Sequence, residues 1–283
     1  MRQKVELNKV RNSEEIIDHS ILFFKQNFKP LMKSYYSICG FFLVSGIIVS
    51  IFYQINLNQA STGRSFSFSS SFFLMMLFSF LNYLFIILTS FSFIALYKAK
   101  NNQPPNLEEV WSYVKFYFFR MLGSTLILGI GLIIGLFMCI VPGIYLWPIF
   151  SFIPAIMILE NTSFNYGIQH AFTILKNNWG NLFGLLVLSF LLVMAAMFLL
   201  AIPVMIIGSV IVFLAGENQL AFMNIGFSIS SYLAQFLLIF PSIVLSLFYY
   251  SLTEKEEGND LLNRIKMLGT QPQQTQQSSE EEY

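Results

Sequence analysis

Charge is what this chain has least of. Only 11% of its 283 residues are Asp, Glu, Lys or Arg, against about a quarter in a soluble domain. With 55% apolar side chains and a mean hydropathy of +0.64, a water-soluble globule is excluded. The few charges are also segregated. Arg64 is the only one from Ser34 to Tyr97, there is none from Met121 to Leu159, and Glu217 is the only one from Asn177 to Thr253. Cysteine and histidine are scarce too: Cys39, Cys139, His19 and His170 are all there are. Two histidines cannot build a typical zinc site without carboxylate help. Both cysteines sit in apolar runs, where they behave as small apolar side chains, and no structural disulfide is expected. There is no Gly-rich phosphate loop, no metal-binding Cys/His cluster and no zinc-protease helix motif. Proton relays, voltage sensors and most ion-coupled carriers need an ionisable residue inside a span, and none is placed there. The sequence therefore leads to no catalytic residue, no metal, no cofactor and no nucleic-acid partner.

What it does contain is three long apolar blocks. A helix needs about 20 apolar residues to cross a hydrocarbon core of about 30 Å, and each block is long enough for two crossings. The spans are placed near Tyr36–Ile55, Phe72–Tyr97, Leu122–Val141, Ile144–Leu159, Leu182–Ile202 and Ile225–Tyr250. Six spans leave both termini on one side. Of the sixteen Lys and Arg residues, fifteen then fall on that side and only Arg64 on the other. The positive-inside rule makes the crowded side the cytoplasm. Frequent Phe, Ile, Asn and Lys suit an AT-rich bacterial genome, so the expected location is the bacterial inner membrane with both termini cytoplasmic. The opposite face keeps the Ser-rich loop 56–71, the Pro142-Gly143 turn and the Gly216-Glu217-Asn218 turn. The polar stretch Arg2 to Asn12 and the late first apolar run do not suit a cleavable signal.

A segment before each pair of spans repeats one apolar spacing of four, three, four, three. It reads Ile17, Ile21, Phe24, Phe28, Leu31, then Leu107, Trp111, Val114, Phe118, Met121, then Ile168, Phe172, Leu175, Trp179, Leu182. That is one stripe along an α-helix. Lys25, Lys115 and Lys176 share a position in this register, as do His19, Glu109 and His170. Asn12 with Glu15, and Asn106 with Glu109, have the spacing of an N-cap and its reciprocal N3 acid. The reading is an all-α integral membrane protein with about six transmembrane helices arranged as three hairpins. Each hairpin follows an amphipathic helix on the cytoplasmic interface. The repeats lie near 12–98, 106–160 and 163–252 within a membrane domain of residues 1–262, followed by a disordered, Gln-rich cytoplasmic tail from 263 to 283. Pro30 and Gly180 are expected where the chain turns from lying on the bilayer to crossing it.

Within the spans, Gly131 and Gly135 form a small-xxx-small step that permits close helix contact. Pro148 and Pro154 free backbone carbonyls that lipid cannot satisfy, so the fourth span should be covered by neighbours. The apolar stretch 182–214 would run about 50 Å as one helix, and Pro203 is expected to break it. Pro241 divides the last block. The histidines are expected to be solvated on polar helix faces. Lys25, Lys29, Lys33, Lys115, Arg120 and Lys176 form a candidate face for anionic lipid headgroups or a partner protein.

Two stretches carry a family resemblance. Pro142-Gly143-Ile144-Tyr145-Leu146 leads through Pro154 and Glu160 to Ala171 and Lys176-Asn177-Asn178-Trp179-Gly180-Asn181-Leu182. The chain then closes with Pro241, Phe248-Tyr249-Tyr250-Ser251-Leu252 and Glu256-Glu257-Gly258-Asn259-Asp260-Leu261. Together these resemble uncharacterised bacterial polytopic membrane proteins of the YciC-like family and the membrane domain associated with some glycerophosphodiester phosphodiesterases. Ser251 stands where those families often carry an acidic residue. The resemblance implies a helical inner-membrane protein of about six spans. The enzymatic phosphodiesterase domain has no counterpart in this sequence. The functional expectation is a non-enzymatic scaffold or accessory subunit of a membrane complex, with membrane or cytoplasmic proteins as partners. The alternatives are a lipid-binding or lipid-translocating protein, and a carrier or channel for a neutral solute.

Overall fold

The computed structural model describes residues 5–60, 70–138, 140–215 and 219–269. Among these residues all regular structure is helical: α1 (Ser13–Gln26), α2 (Phe28–Ala60), α3 (Ser70–Ala99), α4 (Leu107–Met138), α5 (Ile140–Leu159), α6 (Phe164–Leu175), α7 (Trp179–Ala215), α8 (Gln219–Leu233) and α9 (Ile239–Gly269), with a 3₁₀ stretch, Ala234–Leu238, joining the last two. Six helical stretches are long and apolar enough to cross a membrane: Phe28–Asn56, Ser70–Ala99, Leu107–Met138, Ile140–Leu159, Trp179–Ile207 and Asn224–Gly258. Five of the six predicted spans lie wholly inside them. The exception is the third, because α4 ends at Met138 and Pro142-Gly143 lies in the first turn of α5 rather than in a loop. A proline in a first helical turn removes an N–H that has no intrahelical partner.

The second helix of each hairpin goes to the centre. α3, α5 and α9 pack on one another, while α2, α4 and α7 lie outside them. The core is concentrated at the end where the basic residues gather, in residues such as Phe91, Phe93, Ile153, Ile156, Val244 and Leu247, all at most 1% exposed. The opposite halves bury little against protein, as Phe52, Phe73, Phe137 and Leu199 show by their exposure. In a membrane, lipid is as good a solvent for those rings as a neighbouring helix, so their hydrophobicity does not demand protein contact.

The entrance segments differ from one another and from expectation. α1 and α6 are separate helices, but the middle segment runs without a break into its span as the single helix α4. The expected acid caps are present: the Asn12 N–H donates to Glu15 Oε2 at 3.1 Å, and the Asn106 N–H to Glu109 Oε2 at 2.8 Å. Pro30 and Gly180 are not the breaks; both sit in first turns of the following helices. The breaks fall at Asn27 and Asn178, which occupy one position in the repeat register. Each turns its side-chain amide back on the helix it ends, Asn27 Nδ2 to the Phe23 carbonyl and Asn178 Nδ2 to the Ile174 carbonyl, both at 3.2 Å. An asparagine that satisfies the i−4 carbonyl locally competes with helix continuation.

The buried face of these segments is also turned by one residue from the apolar stripe. Ser20, Val110 and Ala171 share a register position and are each 0% exposed. Their successors on the predicted stripe, Ile21, Trp111 and Phe172, are only partly covered. α1 buries Ile16, Ile17, Ser20 and Phe23 and packs mainly beside α9, with Ile21 and Phe24 of its apolar stripe partly buried against the core.

Pro203 does not end α7, which continues to Ala215. Its 37 residues amount to about 55 Å of helix. Proline removes one hydrogen bond without having to stop a helix, and Pro203 sits exposed inside α7. α9 continues through Gly269, beyond residue 262 where the sequence suggested that the tail begins; residues 270–283 lie outside the described residues, as do Arg64, Cys139 and Glu217. Cys39 is buried and unpaired, its sulfur 3.9 Å from Thr89 Oγ1.

Candidate functional site

Three of the four glycines of α4 shape its contact with α5 and a neighbouring cavity. Gly131 and Gly135 let α5 come close: a Cβ at Gly131 would stand 3.1 Å from Phe150 Cε2, and one at Gly135 3.3 Å from Leu146 Cδ1. Gly129 is different, because a Cβ there would meet nothing within 4 Å. It faces a partly open cavity of about 220 Å³ enclosed by α3, α4, α5, α7 and the start of α9. The walls are mostly hydrocarbon and aromatic ring, including Phe91, Trp147, Phe150 and Phe190, with Pro154 from inside α5 and Pro241 from the first turn of α9. No charged side chain lines it.

Four of its lining residues carry hydroxyls: Tyr83, Thr125, Ser151 and Ser242. Ser151 is satisfied, donating to the Trp147 carbonyl at 2.8 Å. The Thr125 hydroxyl is buried without a partner, and no described residue hydrogen-bonds the Tyr83 or Ser242 hydroxyl. Tyr83 lines the cavity and is 46% exposed. A buried hydroxyl with no partner costs about 1–3 kcal/mol.

The prolines of α5 are covered by neighbours. Pro148 cannot donate to the Ile144 carbonyl, and in the same loosened turn the Tyr145 carbonyl accepts the Trp179 indole N–H at 3.0 Å. The Trp179 and Tyr145 rings stack at 5.4 Å. Pro148 and Pro154 are both buried. A polar layer crosses the neighbouring spans: Asn82 Nδ2 donates to Gln235 Oε1 in the 3₁₀ stretch, Ser79 pairs with the Tyr232 hydroxyl at 2.8 Å, and Gln54 Nε2 donates to Ser228 at 3.3 Å. Uncharged polar residues inside apolar runs gave no periodic signal that would have marked them as partners.

At the basic end a second cluster joins three helices. Glu160, just after α5, accepts the Tyr249 hydroxyl of α9 at 2.7 Å and lies 3.2 Å from His170 Nε2 of α6. Tyr166 stacks on His170 at 5.2 Å, and the Glu160 charge beside it, with some burial, raises the Tyr166 hydroxyl above its ordinary pKa. His170 is thus not a freely solvated residue. The register match with His19 hid this, since the partner Glu160 lies on a different helix. His19 bonds locally, its Nδ1–H donating to the Glu15 carbonyl at 2.7 Å. Among the described residues no group of three His, Cys, Asp or Glu could hold a metal. Ser251 binds the N-terminal segment: the Arg11 N–H donates to Ser251 Oγ at 2.8 Å and the Ser251 hydroxyl donates to the Arg11 carbonyl at 3.2 Å.

The six cations of the expected headgroup face are all exposed, and none forms an ion pair with a described residue. They fall in three places: Lys25, Lys29 and Lys33 at the α1–α2 junction, Lys115 and Arg120 on α4, and Lys176 after α6. Lys115 lies 5.7 Å from the Trp111 ring, and Arg120 5.6 Å from the Tyr117 ring. Arg120 also donates to the Thr162 carbonyl at 3.1 Å.

These elements define a multi-pass, all-helical membrane protein with an uncharged cavity inside its spans. No protein family, no curated protein and no solved structure matches the chain.

Proposed function

We propose that this is a non-enzymatic lipid-binding protein of the bacterial inner membrane, with both termini in the cytoplasm. The observation that carries the reading is the partly open, uncharged cavity between α3, α4, α5, α7 and α9. Its apolar walls suit a lipid better than a hydrophilic solute, which would leave most of its polar groups unpaired there. At the basic end of the helices, exposed cations beside Trp111 and Tyr117 suit the level of anionic headgroups, where aromatic and basic side chains both prefer to lie.

Gly129→Leu tests the reading. The added side chain projects into open space, and leucine favours helix over glycine by about 0.8 kcal/mol, so folding is expected to survive. The variant should lose a lipid that co-purifies with the wild-type protein in gentle detergent, read by mass spectrometry of the extracted lipids. Equal lipid content in both would remove the cavity as the site.

The scaffold reading keeps one favourable observation, that α1 and α6 present exposed polar faces at the basic end. Orientation has its own measurement. Reporter fusions after Lys255 and within 98–106 should read cytoplasmic and one at Arg64 external, following the fifteen-to-one distribution of basic residues. A periplasmic signal at Lys255 would overturn the topology.

A further inference from the structure

We infer that the central cavity receives the ring of a quinone-type lipid: uncharged, planar, with carbonyl acceptors and an apolar tail. This rests on the lipid-binding reading and narrows it. Three features of the cavity select the chemistry. Its lining has no cation, so a phosphate headgroup drawn to this depth would be a buried, uncompensated charge. It offers five aromatic rings, Tyr83, Phe91, Trp147, Phe150 and Phe190, and ring faces and edges accommodate another planar ring in stacked or edge-on contact. It also holds three hydroxyls without protein partners, on three different helices: Tyr83 on α3, Thr125 on α4 and Ser242 on α9.

An acyl chain would fill the space but leave all three hydroxyls unmet. A diacylglycerol brings carbonyls but no ring to match the aromatic walls. A quinone ring brings both, and its opposed carbonyls accept from hydroxyls on different sides of the cavity. The Thr125 hydroxyl is itself buried and would have to rotate about χ1 to meet a bound ring. The volume of about 220 Å³ is smaller than the roughly 300 Å³ lower end of drug-sized pockets. The cavity therefore encloses a ring and little more, and the isoprenoid tail leaves through the open side into the bilayer.

Trp147 supplies the readout, because quinones quench indole fluorescence on contact. Decyl-ubiquinone titrated into the detergent-solubilised full chain should give saturable quenching that disappears in Trp147→Phe. Tyr83→Phe, Ser242→Ala and Thr125→Val keep shape while removing one hydroxyl each. Each should weaken the quinone about five-fold, the worth of one neutral hydrogen bond. Quenching that rises linearly and equally in Trp147→Phe overturns the assignment. So does saturable quenching indifferent to all three hydroxyl variants. Brominated diacylglycerol and brominated phosphatidylglycerol form the comparison arms. If either quenches Trp147 saturably and the quinone does not, the quinone assignment falls while lipid binding stands. If no probe saturates, both fall.

Discussion

Gly143→Leu is expected to prevent the α4–α5 hairpin from closing. A Cβ at Gly143 would stand 2.6 Å from Leu136 Cγ and 3.1 Å from Leu136 Cα. The second distance is to backbone, so no rotamer change relieves it, and the two helices must separate. Gly135 lies directly across, its own Cβ position 3.6 Å from Gly143 Cα. Forcing extra atoms into such a contact costs about 1–3 kcal/mol and sometimes more, and here it also displaces one wall of the central cavity. The melting temperature of the detergent-solubilised protein should fall well below that of wild type, with a loss of monodisperse material on size exclusion. Gly129→Leu, six residues along the same helix from Gly135, is the internal control and should melt at or above wild type. If Gly143→Leu melts like wild type, the hairpin is not packed in this way.

Phe23→Ala should be the most damaging truncation in the N-terminal helix. Phe23 is 0% exposed and meets the Tyr97 ring edge-on at 5.0 Å. It joins α1 to the end of α3, in a region where Ile16 and Ser20 are also buried. Removing a buried Phe side chain costs about 3–5 kcal/mol. Phe28, on the predicted stripe but 43% exposed, loses far less, because a surface substitution is usually within about 0.5 kcal/mol. Thermal melts of the two alanine variants measure the difference. Comparable losses at Phe23 and Phe28 would mean that α1 is held by the bilayer along its apolar stripe and not by α9.

The contrast between Phe23 and Phe28 shows how far the sequence could be read. Hydrophobic periodicity located the entrance helices, and charge scarcity located the spans, because both depend on transfer out of water. Neither distinguishes a side chain facing lipid from one facing protein, since the two environments are equally apolar. That is why the buried positions Ser20, Val110 and Ala171 were passed over in favour of larger neighbours. Ser20 is polar yet fully buried, its hydroxyl returned to the Ile16 carbonyl at 2.6 Å. The prolines misled in the other direction. Pro30, Pro142 and Pro203 suggest boundaries, but two occupy first turns, where a missing N–H is cheap, and the third lies exposed within a continuous helix. The breaks belong to Asn27 and Asn178, whose amides compete for a carbonyl, a signal too local to stand out in an apolar chain.

By itself the sequence determined that the protein is helical and multi-pass, and where its spans lie. Those follow from the cost of leaving backbone or charge unsatisfied in hydrocarbon, which each segment meets alone. The tertiary structure decided which helices are central, that Glu160 meets Tyr249 and His170, and that Gly129, Tyr83, Thr125 and Ser242 surround one cavity. These residues come from separate helices, and only packing fixes the rotation of each helix about its axis. A one-residue turn moves a side chain by about 100°, which is enough to carry it from the bilayer to the interior.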